Sequence, residues 1–158
     1  MVEAAPKDSE TEEVTQVVIL RAGSTLVAVD ALKVVEVVVR GPVTRVPYSP
    51  SHFLGLCIVA GRLVPVFALR SILGLETGPP AVTLPRLVIL KDSEHEIAFV
   101  CEEARGVVPF HGTDDLADGA FELGHGTVDD EPIVLLDTDA LLRAAMAHTK
   151  EGERQWPV

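Results

Sequence analysis

Between residues 14 and 137 the chain is a succession of short Val-, Ile- and Leu-rich runs, each closed by Gly, Pro, Asp or Ser. Turn signals recur about every ten residues, the spacing of a meandering all-β chain rather than of helices. VTQVVIL (14–20), a turn over Arg21–Ser24 and TLVAV (25–29) predict a hairpin. ALKVVEVVVR (31–40) opens with a helix-like turn and continues as a strand, because its β-branched run favours the pleated state. LGLCIVA (54–60), a turn at Gly61-Arg62 and LVPVFAL (63–69) predict a second hairpin. Pro65 inside that run marks an edge position or a bulge. RLVILK (86–91), EIAFVCEE (96–103), ARGVVPF (104–110), FELGHGTV (121–128) and PIVLLD (132–137) complete nine or ten strands. No strand–helix–strand alternation points to a parallel sheet, so the class is an all-β barrel or sandwich.

Helix is confined to two places. ALRSILGL (68–75) predicts a short helix closed by Gly74, and residues 139–148 carry apolar side chains at helical spacing. Residues 1–13 hold five acids and one lysine and bury nothing, which predicts a disordered acidic tail. The domain proper is 14–148. Residues 149–158 are polar apart from Trp156 and predict a flexible C-terminal tail. TGPPAVTLP (77–85) is the candidate crossover loop.

Charge narrows the function. Thirteen basic against 24 acidic residues give −11, which argues against nucleic acid as a partner, since phosphate binding needs a basic surface. Residues 37–75 carry Arg40, Arg45, Arg62 and Arg70 and no acid, whereas 113–139 carry nine acids and no Lys or Arg. That asymmetry predicts either two solvated faces or a docking surface of two signs. No apolar stretch approaches the roughly 20 residues that span a bilayer, and the N-terminus has no signal-peptide core. A cytoplasmic location without direct membrane insertion is expected. Cys57 and Cys101 both lie in apolar runs and read as buried core residues of a reducing compartment.

Chemistry is hard to find. His52, His95, His111, His125 and His148 form no metal-ligand spacing with each other or with the cysteines. No nucleophile elbow and no phosphate-binding Gly-rich loop is present. Asp129-Asp130-Glu131 lacks the alternation of a calcium loop and reads as a turn. Neither a metal nor a cofactor is expected, and the chain is read as a binding module rather than an enzyme.

The segment TRVPYSPSHFLGLCIVAGRLVPVFALRSILGL (44–75) carries Pro47, Gly55, Gly61, Pro65, Val66, Leu69, Arg70 and Gly74. In this spacing it resembles the central signature of CheW-like chemotaxis coupling proteins. LVAVDALKVVEVVVR resembles that family's opening hairpin and Val-x-Glu element, here Val34 and Glu36. EIAFVCEEARGVV and PIVLLDTDALL resemble its later strands and closing helix, so the likeness covers about 14–146.

The resemblance implies two small five-stranded β-barrel subdomains sharing a core. It also implies an adaptor between chemoreceptor cytoplasmic tips and the regulatory domain of a CheA-type histidine kinase. Its partner-binding positions map onto Val34, Glu36, Ile58, Ala60, Gly61 and Arg62. The family's Asn-Leu-Arg-Gly is Ile58-Val59-Ala60-Gly61 here, with Arg62 one position late, and the Asp of its Asp-Leu-Arg is Ala68. These departures imply that one of the two interactions is altered or lost. The competing expectation is a ligand-binding β-barrel sensor unrelated to chemotaxis, which would need an enclosed apolar cavity.

Overall fold

The computed structural model describes residues 15–39, 41–49, 52–75, 86–113 and 121–155. The expected acidic tail, the crossover loop and Trp156 lie outside them. Ten strands are present among the described residues: β1 (Thr15–Ala22), β2 (Thr25–Asp30), β3 (Val34–Val39), β4 (Phe53–Val59), β5 (Arg62–Ala68), β6 (Arg86–Lys91), β7 (Glu96–Cys101), β8 (Glu103–Thr113), β9 (Glu122–Val128) and β10 (Glu131–Leu136). A 3₁₀ turn at Ala31–Lys33 links β2 to β3.

The strands divide into two groups of five. One closes as a barrel in the order β1-β2-β10-β9-β8, with β8 pairing back onto β1. The other runs β3-β6-β7-β5-β4. Most pairs are antiparallel, but β10 joins β2 and β5 joins β7 in parallel. The second group is less completely closed than the expected barrel. Its ends meet at one bridge, where Thr44 and Leu56 exchange two backbone hydrogen bonds of 2.8 Å each. Gly55 makes that approach possible, since a Cβ there would lie 2.1 Å from the Thr44 carbonyl oxygen. Two residues further along the same register Pro42 would face Ile58, and proline has no N–H to continue the ladder.

The continuous hydrophobicity of the runs has a direct cause, because several strands are buried on both faces. In β1, Val17 and Ile19 fill the first barrel, while Val18, Leu20 and Ala22 face a core between the two barrels. In β6, Leu87 and Ile89 fill the second barrel, and Val88 and Leu90 face the shared core. Phe67 and Phe99 also lie in the shared core, fully buried with ring centroids 6.1 Å apart. Each such side chain stabilises the fold by roughly 1.5–3 kcal/mol.

Pro65 fits because the β5–β7 ladder begins only at Val66, so β5 is locally an edge at the proline. The first helix is shorter than expected, α1 (Leu69–Ile72), and Gly74 at φ +73° ends it as the sequence indicates. The second, α2 (Thr138–Gln155), runs past the expected 139–148 through most of the segment read as a tail. Lys150, Glu151, Glu153, Arg154 and Gln155 are good helix formers, and one glycine does not stop them. Asp137 caps α2 by accepting the Ala140 N–H at 3.1 Å, and Leu141, Leu142 and Ala145 bury into the shared core. No helix among the described residues is long and apolar enough to cross a membrane.

Candidate functional site

The β4–β5 hairpin turns at Ala60-Gly61, one residue before the turn expected at Gly61-Arg62. Two-residue hairpin turns of this hand need positive φ at both centres, with Gly favoured second. Ala60 at φ +50° and Gly61 at φ +79° meet that requirement. Both are exposed at the tip.

This turn fixes the pairs Val59–Arg62, Ile58–Leu63, Cys57–Val64 and Leu56–Pro65. Cys57, Val59 and Val64 point into the second barrel. By the period of two, Leu56, Ile58, Leu63 and Pro65 share the opposite, outer face. Ile58 is 72% exposed and Leu63 64%. Two large branched side chains therefore stand side by side in solvent, flanked along the hairpin by an apolar pair. On β3, Val39 is also exposed.

Arg62 has a different role from its neighbours. It shares the inward face with Val64 and Val66 and reaches across the end of the second barrel. Its Nε donates to Glu96 Oε1 at 2.9 Å, and its Nη2 meets Glu36 Oε2 at 3.5 Å. The Glu96 hydrogen bond is the main cause that raises the Arg62 pKa above its ordinary value. Glu36 lies on β3 beside a bulge between Val34 and Glu36, and Val34 packs against the shared core. The structure thus brings Glu36, Arg62 and the turn residues to one end of the second barrel. Val34 belongs to the inter-barrel seam.

Leu63 and Glu96 were absent from the sequence-derived set. Placing the glycine second in the turn would have paired Leu63 with Ile58. Glu96 comes from a strand more than thirty residues away, and no local pattern announces it.

Among the described residues, part of the charge asymmetry is paired within the fold. Arg62 pairs with Glu36 and Glu96, and Arg70 Nη1 pairs with Glu102 at 3.0 Å, so two bases of 37–75 are internally neutralised. In 113–139, Glu122 meets His125 at 2.9 Å, Glu131 meets Arg105 at 3.3 Å, Asp139 meets Lys33 at 3.4 Å and Asp137 caps a helix. Asp129 and Asp130 remain exposed in the β9–β10 turn.

Both barrel interiors are occupied by side chains. Val17, Ile19, Leu26, Ala28, Phe110 and Ile133 fill the first, and nine buried residues around Leu87 and Ile89 fill the second. A groove of about 250 Å³ lies outside them, lined by Thr25, Val27, Leu73, Leu75, Phe121 and Leu136 among others. Burial raises the Cys101 thiol to about 12, so it is not a thiolate nucleophile at neutral pH. No group of three or more His, Cys, Asp or Glu among the described residues is placed to hold a metal ion.

The family model described as "CheW-like domain" matches residues 16–146. The chain belongs to the CheW-like domain family. None of the curated proteins matches it in sequence. Among solved structures it is similar to the scaffolding protein TtCheW from Thermoanaerobacter tengcongensis, at 21% identity and a TM-score of 0.66. That likeness covers 78% of this chain and 88% of the other, and it confirms the fold. Two five-stranded units around a shared core are therefore the CheW-like architecture, here with the first unit a closed barrel and the second a five-stranded sheet that the segment after β3 touches at one isolated bridge. Membership supports a chemotaxis coupling adaptor in general terms.

Proposed function

We propose that this chain is a noncatalytic cytoplasmic adaptor. It couples the cytoplasmic tip of a chemoreceptor to the regulatory domain of a CheA-type histidine kinase, without nucleic acid or membrane insertion. The observation that carries this reading is the outward Ile58–Leu63 pair beside the Ala60-Gly61 tip, on a face with Leu56 and Pro65. Exposed apolar side chains rimmed by polar groups mark protein interaction surfaces. Glu36 and Arg62 hold the rim. The filled barrels favour this function over a sensor that encloses its ligand.

The departures from the family motif act at the tip. Ala60 supplies no donors where the resemblance implies an arginine, and Ile58 presents hydrocarbon where it implies an asparagine amide. The face is accordingly suited to an apolar partner surface, and one of the two interactions is altered or lost. Isothermal titration of the full chain against a kinase regulatory domain and against a receptor tip fragment tests the assignment. Saturable binding to at least one is expected. Binding to neither removes the reading.

A further inference from the structure

Glu102 is the one residue between β7 of the second barrel and β8 of the first. Its side chain touches both barrels at once. Oε1 accepts the Gly23 N–H, in the β1–β2 turn, at 2.9 Å. Oε2 accepts Arg70 Nη1, in α1 after β5, at 3.0 Å. Its own N–H donates to the Arg21 carbonyl at 3.1 Å. The Arg70 side chain is only 11% exposed and that of Glu102 25%, so water competes weakly for the pair. Gly23 has φ +68°, and the Arg70 Cδ lies 3.4 Å from where a Cβ would stand, so the turn and the arginine are in register.

The shared core presses the barrels together, but apolar contact is non-directional and sets an angle poorly. Charge-assisted hydrogen bonds of defined length and direction set it well. The neighbouring Glu103 extends the linkage on the first barrel, meeting Arg21 at 3.2 Å and Arg105 at 3.1 Å.

We propose that Glu102 is a positioning residue whose carboxylate, bonded to the β1–β2 turn and to α1, fixes the angle at which the two barrels present their outer faces. This rests on the adaptor reading for its consequence, though not for its geometry. An adaptor that joins two partners transmits between them only if its halves keep a set orientation.

The test uses Glu102→Gln, which keeps shape and removes charge, and Arg70→Gln, which removes the other partner, both in the full chain. Spin labels at Thr127→Cys and Glu94→Cys, both exposed positions, report the inter-barrel distance while native Cys57 and Cys101 stay buried. Each variant is expected to broaden or shift a narrow wild-type distance distribution. In a reconstituted receptor–kinase assembly each is expected to lower kinase activation by about fivefold or more, the low end of inter-site coupling. Binding to the isolated kinase regulatory domain stays unchanged. Circular dichroism identifies a variant that fails to fold, in which case Glu102→Asp, with a shorter reach, takes its place. An unchanged distance distribution overturns the proposal. So does a loss of activation matched by an equal loss of pairwise binding. Absence of any partner binding by the wild type refutes the adaptor reading alone, because the distance measurement still decides the geometry.

Discussion

Replacing Ile58 by Thr isolates the docking face from the fold. Threonine keeps the β-branch and hence the strand preference, while it exchanges hydrocarbon for a hydroxyl. In the free protein Ile58 is 72% exposed, so little packing is lost and thermal unfolding should move by no more than the ~0.5 kcal/mol usual for surface changes. In a complex that covers the hairpin the same side chain is desolvated. Full burial of an isoleucine is worth roughly 1.5–3 kcal/mol, so covering its exposed share contributes about 1–2 kcal/mol. That is a five- to thirtyfold rise in Kd for Ile58→Thr against the kinase regulatory domain or the receptor tip, at about 1.4 kcal/mol per decade. Leu63→Thr should cost slightly less, in line with its 64% exposure. The two side chains are cross-strand neighbours, so the double variant should depart from simple addition. Isothermal titration and thermal melts on the same samples decide the matter. A double variant that melts like the wild type and binds with unchanged affinity would refute the assignment of this face.

Four further outcomes are expected. Ala60→Gly should stabilise the chain by about 1 kcal/mol in chemical denaturation, because Ala60 sits at φ +50°, and Ala60→Arg should change partner affinity without unfolding the hairpin. The Arg21 and Arg105 guanidinium groups, in that order, hold the Glu103 carboxyl below its ordinary pKa. A depressed folded-state pKa gives stability that is present above the unfolded value, roughly pH 4.3, and is lost as pH falls through the folded one. Glu103→Gln should therefore flatten the acid side of the stability–pH curve and leave its slope at neutral pH alone. Cys101, raised to about 12 by burial, should resist iodoacetamide at pH 8 in the folded chain and react only through opening of the fold, at a rate that rises with the unfolded population.

Much of the hairpin that carries the proposed docking face was legible in the sequence. The resemblance marked Ile58, Ala60, Gly61 and Arg62, and all four lie at or beside the turn. Local order could not tell which of them faces outward. LGLCIVA is apolar throughout, so hydropathy does not separate exposed Ile58 from buried Cys57 and Val59. Which face of the hairpin the second core covers decides it, because moving a two-residue turn by one position shifts the pairing by two and leaves every side chain on its own face. The turn at Ala60-Gly61 places Arg62 in β5, on the face of Val64, where it meets Glu36 and Glu96.

The sequence by itself determined the all-β class, the strand succession, the glycine that ends α1 and the start of the closing helix. These depend on backbone preferences and on periodicities that act over a few residues. Only the tertiary structure decided that the first barrel closes through β8 onto β1 while the second meets at Thr44 and Leu56. It alone brought Glu102 between Gly23 and Arg70, residues 79 and 32 positions away. Such contacts arise from chain closure around a buried core, where the partner of a charge is set by strand order in space and not by its neighbours in sequence.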